Sequence, residues 1–138
     1  MVSDLPILPP VRRKREQSVT PKVLAWFLKN YPYSCAIEVK ATKGHSIPSN
    51  ALLPHQKRAL LDATDVGIVF KIPDVGFRNP FDAFMLKNVP AFVVACFTGD
   101  GVCYAIPVKR WRGARIDPST AGLCAMGDCR AIHRIPIE

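Results

Sequence analysis

Two strand-length apolar segments joined by a short turn constrain the fold of this chain more than any other feature. Residues 91–98 and 102–108 are rich in β-branched and aromatic side chains, and Gly99, Asp100 and Gly101 separate them. Glycine and aspartate in so short a connection favour the tight turn of a β-hairpin. We therefore predict two neighbouring antiparallel strands here.

Helical and strand patterns alternate before this hairpin. Thr20 and Pro21 are typical of a helix start, and apolar residues follow at helical spacing. Residues 34–40 alternate like a strand, and residues 52–63 have a second helical pattern. Residues 66–72 form a continuous apolar run, typical of a strand covered on both faces. Strand, helix and strand in this order predict a parallel crossover.

The rest of the chain is less regular. Residues 1–15 are expected to form a flexible basic arm, residues 73–89 an irregular stretch, and residues 119–131 a last helix. The fold class expected from these elements is α/β, with a mixed β-sheet flanked by helices. The arm is followed by one small domain over residues 16–138.

Size and composition fit one globular domain. The chain has 138 residues, of which 49% are apolar, and a chain of this size typically makes a single core. No segment approaches the ~18 apolar residues of a membrane span, and no signal peptide is evident. Five cysteines, an odd number without regular spacing, favour free thiols in a reducing cytoplasm.

Positive charge is concentrated in the first part of the chain. Residues 1–60 contain ten Lys and Arg against three acids, a net +7, whereas residues 61–138 contain nine against eight, a net +1. This asymmetry favours a polyanionic partner, because lysine and arginine release counterions when they neutralise phosphates. Nucleic acid is the first candidate, with acidic protein or lipid behind it. For the basic run over residues 12–15, a solvated tail is the alternative.

Glu38 and Lys40 are the most suggestive pair of polar residues. They lie two apart in a predicted strand, so their side chains project from the same face. A carboxylate there can hold a divalent cation, and an ammonium group can meet a phosphate or an attacking water, as phosphodiester hydrolysis requires. On its own, such a pair is more often a solvent-exposed ion pair.

The surrounding residues resemble the PD-(D/E)xK nuclease superfamily. The order is AIEVKATK over residues 36–43, a loop with SIP over residues 46–48, and LPHQKRALL over residues 53–61. This order is similar to the branch that contains RecU-type Holliday junction resolvases and small phage-encoded nucleases, in which a Glu-x-Lys strand precedes a helix opening with His-Gln. Residues 70–72 and 79–82 are also similar to the small phage members.

The resemblance implies roles for four residues. In that family the glutamate binds Mg²⁺ and the lysine orients or activates the nucleophilic water, which assigns these roles to Glu38 and Lys40. The backbone carbonyl of Val39 would complete the coordination, with Mn²⁺ as a substitute ion. Gln56 corresponds to a glutamine near the metal in some relatives, where it would position water or phosphate. An ordinary exposed helix glutamine is the alternative.

The aspartate that the family normally supplies before this strand is missing here. Mg²⁺ is usually bound through one or two carboxylates together with water and substrate phosphate, so a second acid is expected. Glu16 is the first candidate, because relatives place a glutamate on the N-terminal helix, and Asp82 and Asp74 are substitutes. If none approaches Glu38, either a dimer shares the metal or the fold has lost catalysis.

The function implied is a Mg²⁺-dependent endonuclease that cleaves branched DNA in the cytoplasm of a bacterial or phage-infected host cell. Symmetric cleavage of two strands implies a homodimer, with the strands of the 91–108 hairpin as candidate interface. A non-catalytic, structure-selective DNA-binding protein of the same fold is the alternative, and an RNA-directed nuclease is a third.

Basic residues flank the predicted site in the sequence and would bind DNA phosphates. Such contacts contribute affinity for DNA without specificity for its bases. Trp111 is expected to pack at the surface, with stacking on an exposed base as the alternative. The predicted phosphate contacts are Arg12, Arg13, Lys14, Arg15, Lys43, His45, His55, Lys57 and Arg58.

Overall fold

The structure is a computed structural model that describes residues 10–73, 80–118 and 133–137. In chain order its helices and strands are α1 (Pro10–Asn30), β1 (Ala36–Thr42), β2 (Ile47–Pro48), α2 (Pro54–Thr64), β3 (Ile68–Lys71), β4 (Ala83–Leu86), β5 (Ala91–Phe97), β6 (Val102–Pro107), β7 (Arg115–Ile116) and β8 (His133–Pro136). The mixed α/β fold class and the single small domain agree with the sequence-based prediction.

A four-stranded mixed sheet in the order β1-β5-β6-β8 forms the centre. β5 pairs parallel with β1 and antiparallel with β6, and β6 pairs antiparallel with β8. Every residue of β5 is buried, as expected for a strand that has neighbours at both edges and cover on both faces.

Two layers cover this sheet. Val19, Val23 and Phe27 of α1 pack on one face, against Val39 and Ala41 of β1 and their neighbours in β5 and β6. The opposite face packs against α2 and the small β2-β7 pair. Glu38 and Lys40 alternate with Val39 along β1, so they project from the face that α2 covers.

The predicted hairpin is confirmed as β5 and β6. A turn over residues 98–101 joins them, and Gly101 has a φ of +65°, a backbone conformation that glycine adopts without steric cost. Both strands are interior to the sheet, because β5 lies between β1 and β6, and β6 between β5 and β8. Their edges are therefore already paired and cannot extend the sheet into a second copy of the chain, while their place in a dimer interface stays a prediction.

The predicted position of β3 is wrong. β3 does not join the central sheet but pairs with β4 as a separate antiparallel ribbon, and Val69 and Phe70 remain exposed. The parallel crossover from β1 leads to β5 instead. A continuous apolar run does not distinguish a strand covered on both faces from an apolar ribbon. The stretch over residues 73–89, predicted to be irregular, contains β4.

Helix α1 begins ten residues before the predicted start at Thr20. Pro10 takes the first helical position, where proline is tolerated, and the following arginine, lysine, glutamate and glutamine residues are good helix formers. The Thr20 hydroxyl donates to the Glu16 carbonyl one turn back at 2.6 Å instead of capping a helix, and Pro21 lies inside α1. Residues 10–15 are therefore helical and not an extended arm.

Cys96 and Cys103 form a disulfide, so the expectation of free thiols is wrong for this pair. The two residues are directly opposite in the β5-β6 register, a position that brings cross-strand Cβ atoms close together. Cys35 is a free thiol.

Two predicted segments, residues 1–9 of the arm and the helix over residues 119–131, lie outside the described residues. Within the part of the chain that is described, no helix is long and apolar enough to cross a membrane.

Candidate active site

Strand β1 and the first turn of α2 bring three of the predicted site residues together. Gln56 Nε2 donates a 3.1 Å hydrogen bond to Glu38 Oε1, and Lys40 Nζ lies 3.5 Å from the same oxygen. The same carboxylate oxygen of Glu38 therefore accepts a hydrogen bond from the Gln56 amide and forms an ion pair with the Lys40 ammonium group. The ion pair that the sequence suggested is present, but it is not a solvent-exposed pair, because Lys40 is buried.

The start of α2 fixes the orientation of Gln56. Pro54 occupies the first helical turn, and the backbone N–H of Leu53 just before it donates to Gln56 Oε1 at 3.1 Å. This is the glutamine half of a capping box, which satisfies a backbone donor that the helix itself leaves unpaired. Both ends of the Gln56 amide are thus bonded, so its N–H group is held toward Glu38.

Lys40 is only 5% exposed and is the one buried charged residue in the described part of the chain. Burying an ammonium group is costly unless it is paired, and Glu38 supplies the pairing carboxylate. The Glu38 side chain keeps 31% of its surface exposed. The carboxylate is therefore reachable from solvent, while the cation that accompanies it lies inside the protein.

A cleft of about 410 Å³ opens beside Glu38 between α2 and the β3-β4 ribbon. Polar side chains lie at Glu38, His55 and Gln56, and the remaining walls are almost entirely apolar. The other lining residues are Cys35, Ala36, Ile37, Ala59, Leu60, Ala63, Ile68, Phe70 and Leu86. The carboxylate of the candidate site thus faces an open and mostly apolar space.

Cys35 lines this cleft at the start of β1 while its side chain packs against the cluster on the α1 face, and burial raises the pKa of its thiol. A raised pKa keeps the thiol protonated near neutral pH, and a protonated thiol is a poor nucleophile. Tyr31 also has a raised pKa, first because of burial and then because of Cys35 and Tyr33 nearby. Neither group has the lowered pKa of an activated nucleophile.

Val39 is placed to offer its backbone carbonyl to a metal. The N–H of Ala36 bonds to Pro90 and the carbonyl of Thr42 accepts from Thr98, both on the β5 side of β1. Backbone groups alternate along a strand, so Val39 directs its carbonyl to the other edge. Among the described residues no strand pairs with that edge.

Neither Glu16 nor Asp82 lines the cleft beside Glu38. Glu16 lies on α1, which packs on the opposite face of the sheet. Asp82 precedes β4 and does not line the cleft, and Asp74 lies outside the described residues. Within the described chain no group of three metal-binding side chains occurs. Glu16 therefore starts from the face of the sheet opposite Glu38, and its role as the second acid stays a prediction.

Glu38 and the Val39 carbonyl nevertheless fit a minimal magnesium site. Mg²⁺ keeps several waters and is commonly held by one or two carboxylates together with substrate phosphates. One carboxylate with solvent access and one backbone carbonyl at an unpaired strand edge meet that description. Such a site would complete its coordination with water and a substrate phosphate.

The predicted phosphate contacts divide by location. Lys43 and His45 follow β1 and are exposed, with His45 Nδ1 3.9 Å from the Asp100 carboxylate. His55 lines the cleft, and Arg58 pairs with Asp62 one turn along α2 at 3.4 Å. Lys57 is exposed on α2. The side chains of Arg12, Arg13, Lys14 and Arg15 lie outside the described part, although their backbone belongs to α1.

A second basic segment was missed by the sequence analysis. Residues 111–115 carry Arg112 and Arg115, and hydrogen bonds to residues 46–49 hold this arginine loop in place. Trp111 Nε1 donates to the Ser49 carbonyl at 2.9 Å, and Arg115 Nε donates to Ser46 Oγ at 2.7 Å. The Ser49 N–H also donates to the carbonyl of residue 114 at 3.1 Å.

The arginine loop borders a groove of about 430 Å³ that contains Lys57, Ser49 and Arg112. Lys57 and His55 project from opposite sides of the first turn of α2, so the groove and the cleft flank that turn. The sequence signal was the cluster KRWRGAR over residues 109–115. Trp111, within it, is 2% exposed, so it packs in the core and is not available for stacking on a base.

Comparisons of this chain with protein-family models, with curated proteins and with solved structures give no match.

Proposed function

We propose that this protein is a metal-dependent DNA endonuclease that hydrolyses phosphodiester bonds in branched DNA, such as a Holliday junction. The observation that carries the proposal is the buried Lys40 held 3.5 Å from a solvent-accessible Glu38, whose carboxylate Gln56 orients. The resemblance of residues 36–61 to PD-(D/E)xK nucleases supports it, and so does the net charge of +8.

The residues of the site divide the work of hydrolysis. Glu38 and the Val39 carbonyl would hold Mg²⁺ or Mn²⁺, which when bound supplies Lewis-acid stabilisation of the phosphate and activation of a water. Lys40 presents a fixed positive charge where negative charge develops on the attacked phosphate. Gln56 keeps the Glu38 carboxylate in one orientation by donating to Oε1, so the other oxygen is turned to the ligand.

The strand that carries the phosphate would be held on both sides of the first turn of α2. His55 lies in the cleft on one side, while Lys57 and Arg112 lie in the groove on the other. These contacts neutralise backbone charge and fix the register of the DNA, but they do not read its sequence. Branched DNA is therefore selected by shape.

Cleavage of both strands of a junction requires two active sites, so we propose that the protein acts as a homodimer. A two-fold dimer is the commonest arrangement of identical subunits. Sedimentation of the protein alone and bound to a four-way junction tests this, with two copies per junction as the expected stoichiometry.

The test of the function is cleavage of end-labelled four-way junction, nicked, linear and single-stranded DNA, with Mg²⁺ and with EDTA. We expect Mg²⁺-dependent cleavage of the junction that Glu38→Gln and Lys40→Met abolish, while both variants still bind junction DNA in EDTA. A matched control is Lys29→Met, which removes an exposed lysine from the end of α1.

The second candidate is a DNA-binding protein without catalysis, favoured because no group of three metal-binding side chains occurs among the described residues. Such a protein would bind junction DNA equally well in Mg²⁺ and in EDTA and cut none of the substrates, even with Mn²⁺. That result would replace the nuclease proposal.

A further inference from the structure

The cleft beside Glu38 has the composition of a site for a flat, mostly apolar ligand with one polar end. Its polar groups, from Glu38, His55 and Gln56, are accompanied by a long apolar lining. Phe70 is part of that lining and still keeps 48% of its surface exposed. An aromatic ring exposed inside a cleft is a surface on which another ring can stack.

We propose that this cleft binds one unpaired nucleobase of the DNA strand, stacked on Phe70, with the adjacent phosphate beside Glu38 and the exposed His55. The inference rests on the proposed function and defines its substrate class as DNA with an unpaired nucleotide beside the scissile bond. A nucleobase has apolar faces and a polar edge, which match the apolar walls and the polar residues of the cleft. The volume of about 410 Å³ lies in the range of small-ligand pockets.

Charge also favours a nucleotide over a neutral apolar ligand. The base would enter an apolar space, whereas its phosphate would lie beside the exposed side chain of His55, with the exposed Lys57 on the other side of the first turn of α2. An apolar peptide side chain or a lipid chain would leave the polar groups of Glu38, His55 and Gln56 unused. The nucleotide is the ligand whose two halves match the two parts of the site.

Stacking on Phe70 requires a base whose faces are not already covered. In a duplex each base is stacked on its neighbours, and extruding it costs a few kcal/mol, least when the base is already unpaired. A cleft that binds one base therefore favours bulges, single strands and branch points over continuous duplex. Base-aromatic stacking is largely independent of sequence, which fits selection by DNA shape.

The first arm of the test uses Phe70 and measures binding in EDTA, where cleavage cannot interfere. The probes are a duplex with one central bulged 2-aminopurine and the same duplex fully paired. We expect the wild type to prefer the bulged duplex by about fivefold to a hundredfold, the range for one stacked base, and its 2-aminopurine fluorescence to fall on binding. Phe70→Leu should lose the preference, and Phe70→Tyr should keep it.

The matched control is Met85→Ala on the same ribbon. Met85 pairs with Val69 and is 72% exposed, and strand alternation places it on the opposite face from Phe70. If the ribbon matters only for stability, both variants will change binding alike. Equal loss of preference in Met85→Ala and Phe70→Leu, or an unchanged preference in Phe70→Leu, would overturn the proposal.

The second arm uses Cys35 as a reporter, because it lines the same cleft and is a free thiol. The protein is treated with N-ethylmaleimide at pH 8, and labelling of the Cys35 peptide is followed by mass spectrometry. At saturating DNA, the bulged duplex should slow labelling at least tenfold more than the paired duplex. Equal labelling rates with the two duplexes count against occupancy of the cleft.

The two arms separate this inference from the function on which it rests. If the wild type cleaves junctions but shows neither a bulge preference nor protection of Cys35, the base site is wrong and the nuclease proposal stands. If the base site is found but no substrate is cut, the protein is a binder of unpaired nucleotides. If no DNA binds, both proposals fall.

Discussion

Lys40 and Glu38 form an ion pair across the boundary between protein and solvent, with 3.5 Å between Nζ and Oε1. The lysine is 5% exposed, whereas the glutamate side chain is 31% exposed. The pair is therefore asymmetric: the cation depends on the anion for compensation of its charge, while the anion is also solvated by water. Each substitution in the pair should accordingly have a different effect on stability.

Glu38→Gln should destabilise the protein by about 1–3 kcal/mol and abolish cleavage. Removing one member of a fully buried pair costs about 3–5 kcal/mol, and the solvent access of this site lowers that cost because water can approach Lys40 once the carboxylate is gone. Urea unfolding measures the change in the free energy of unfolding. An unchanged midpoint and slope would mean that Lys40 does not depend on Glu38.

Lys40→Met should also abolish cleavage, but its stability should stay within about 1 kcal/mol of the wild type. Methionine keeps the apolar stem in the buried site and removes the cost of a buried charge, and the exposed Glu38 remains hydrated. The measurements are urea unfolding and junction cleavage in Mg²⁺. A stable Lys40→Met variant that still cleaves DNA at the wild-type rate would exclude Lys40 from the reaction.

Gln56→Glu should strengthen metal binding. The new carboxylate would still accept from the Leu53 N–H but would place a second acid beside Glu38, where Gln56 Nε2 now lies 3.1 Å from Oε1. Two carboxylates bind a divalent cation more tightly than one. Calorimetric titration with Mn²⁺ should show an affinity at least tenfold higher than in the wild type.

The control for this prediction is Gln56→Ala, which removes both hydrogen bonds of the amide. It should lower the free energy of unfolding by about 1–2 kcal/mol, the cost of a lost helix cap, without any gain in Mn²⁺ affinity. If Gln56→Glu binds Mn²⁺ no better than Gln56→Ala does, the cation is held elsewhere.

Local patterns predicted the parts of the fold that depend on neighbouring residues. The β5-β6 hairpin, β1 and α2 follow from turn residues and apolar spacing, and the shared face of Glu38 and Lys40 follows from strand alternation. The contact between Gln56 and Glu38 is an interaction 18 residues apart. It was expected from the family resemblance, because helical spacing alone does not indicate which side chain meets β1.

The errors concern the pairing of strands and cysteines and the start of α1. The pairing of β3 with β4, and not with the central sheet, depends on a competition between partners that the apolar run over residues 66–72 does not reveal. The Cys96–Cys103 disulfide depends on the register of the hairpin: the two residues are equally far from the observed turn over residues 98–101 but not from the predicted turn over residues 99–101. The odd number of cysteines in the chain favoured free thiols instead, so this disulfide was not predicted. The helical start of α1 was missed because Pro21 was taken as a beginning and not as an interior residue.

The arginine loop predicts a salt-dependent contribution to DNA binding that the sequence analysis did not include. Arg112→Ala with Arg115→Ala should weaken binding of every DNA substrate and reduce the slope of log affinity against log salt by about 1–2, since each phosphate contact contributes about 0.9. Fluorescence anisotropy in EDTA over a range of NaCl concentrations measures both quantities. The control is Lys29→Ala, on the helix that covers the other face of the sheet, which should leave the slope unchanged.

The Cys96–Cys103 disulfide predicts a measurable loss of stability on its removal. Both cysteines are fully buried, and the bond closes a loop across the β5-β6 turn. For a loop of this length the chain-entropy estimate is about 2–3 kcal/mol. The double substitution Cys96→Ala with Cys103→Ala should lower the free energy of unfolding in urea by this amount, whereas Cys35→Ala leaves the bond intact and serves as the control.

Mass spectrometry of the unfolded, unreduced protein should find the two residues in one linked peptide, and alkylation of both before any reductant is added would contradict the bond. Because β5 lies beside β1, weakening the hairpin should also loosen the strand that carries Glu38 and lower junction cleavage together with stability.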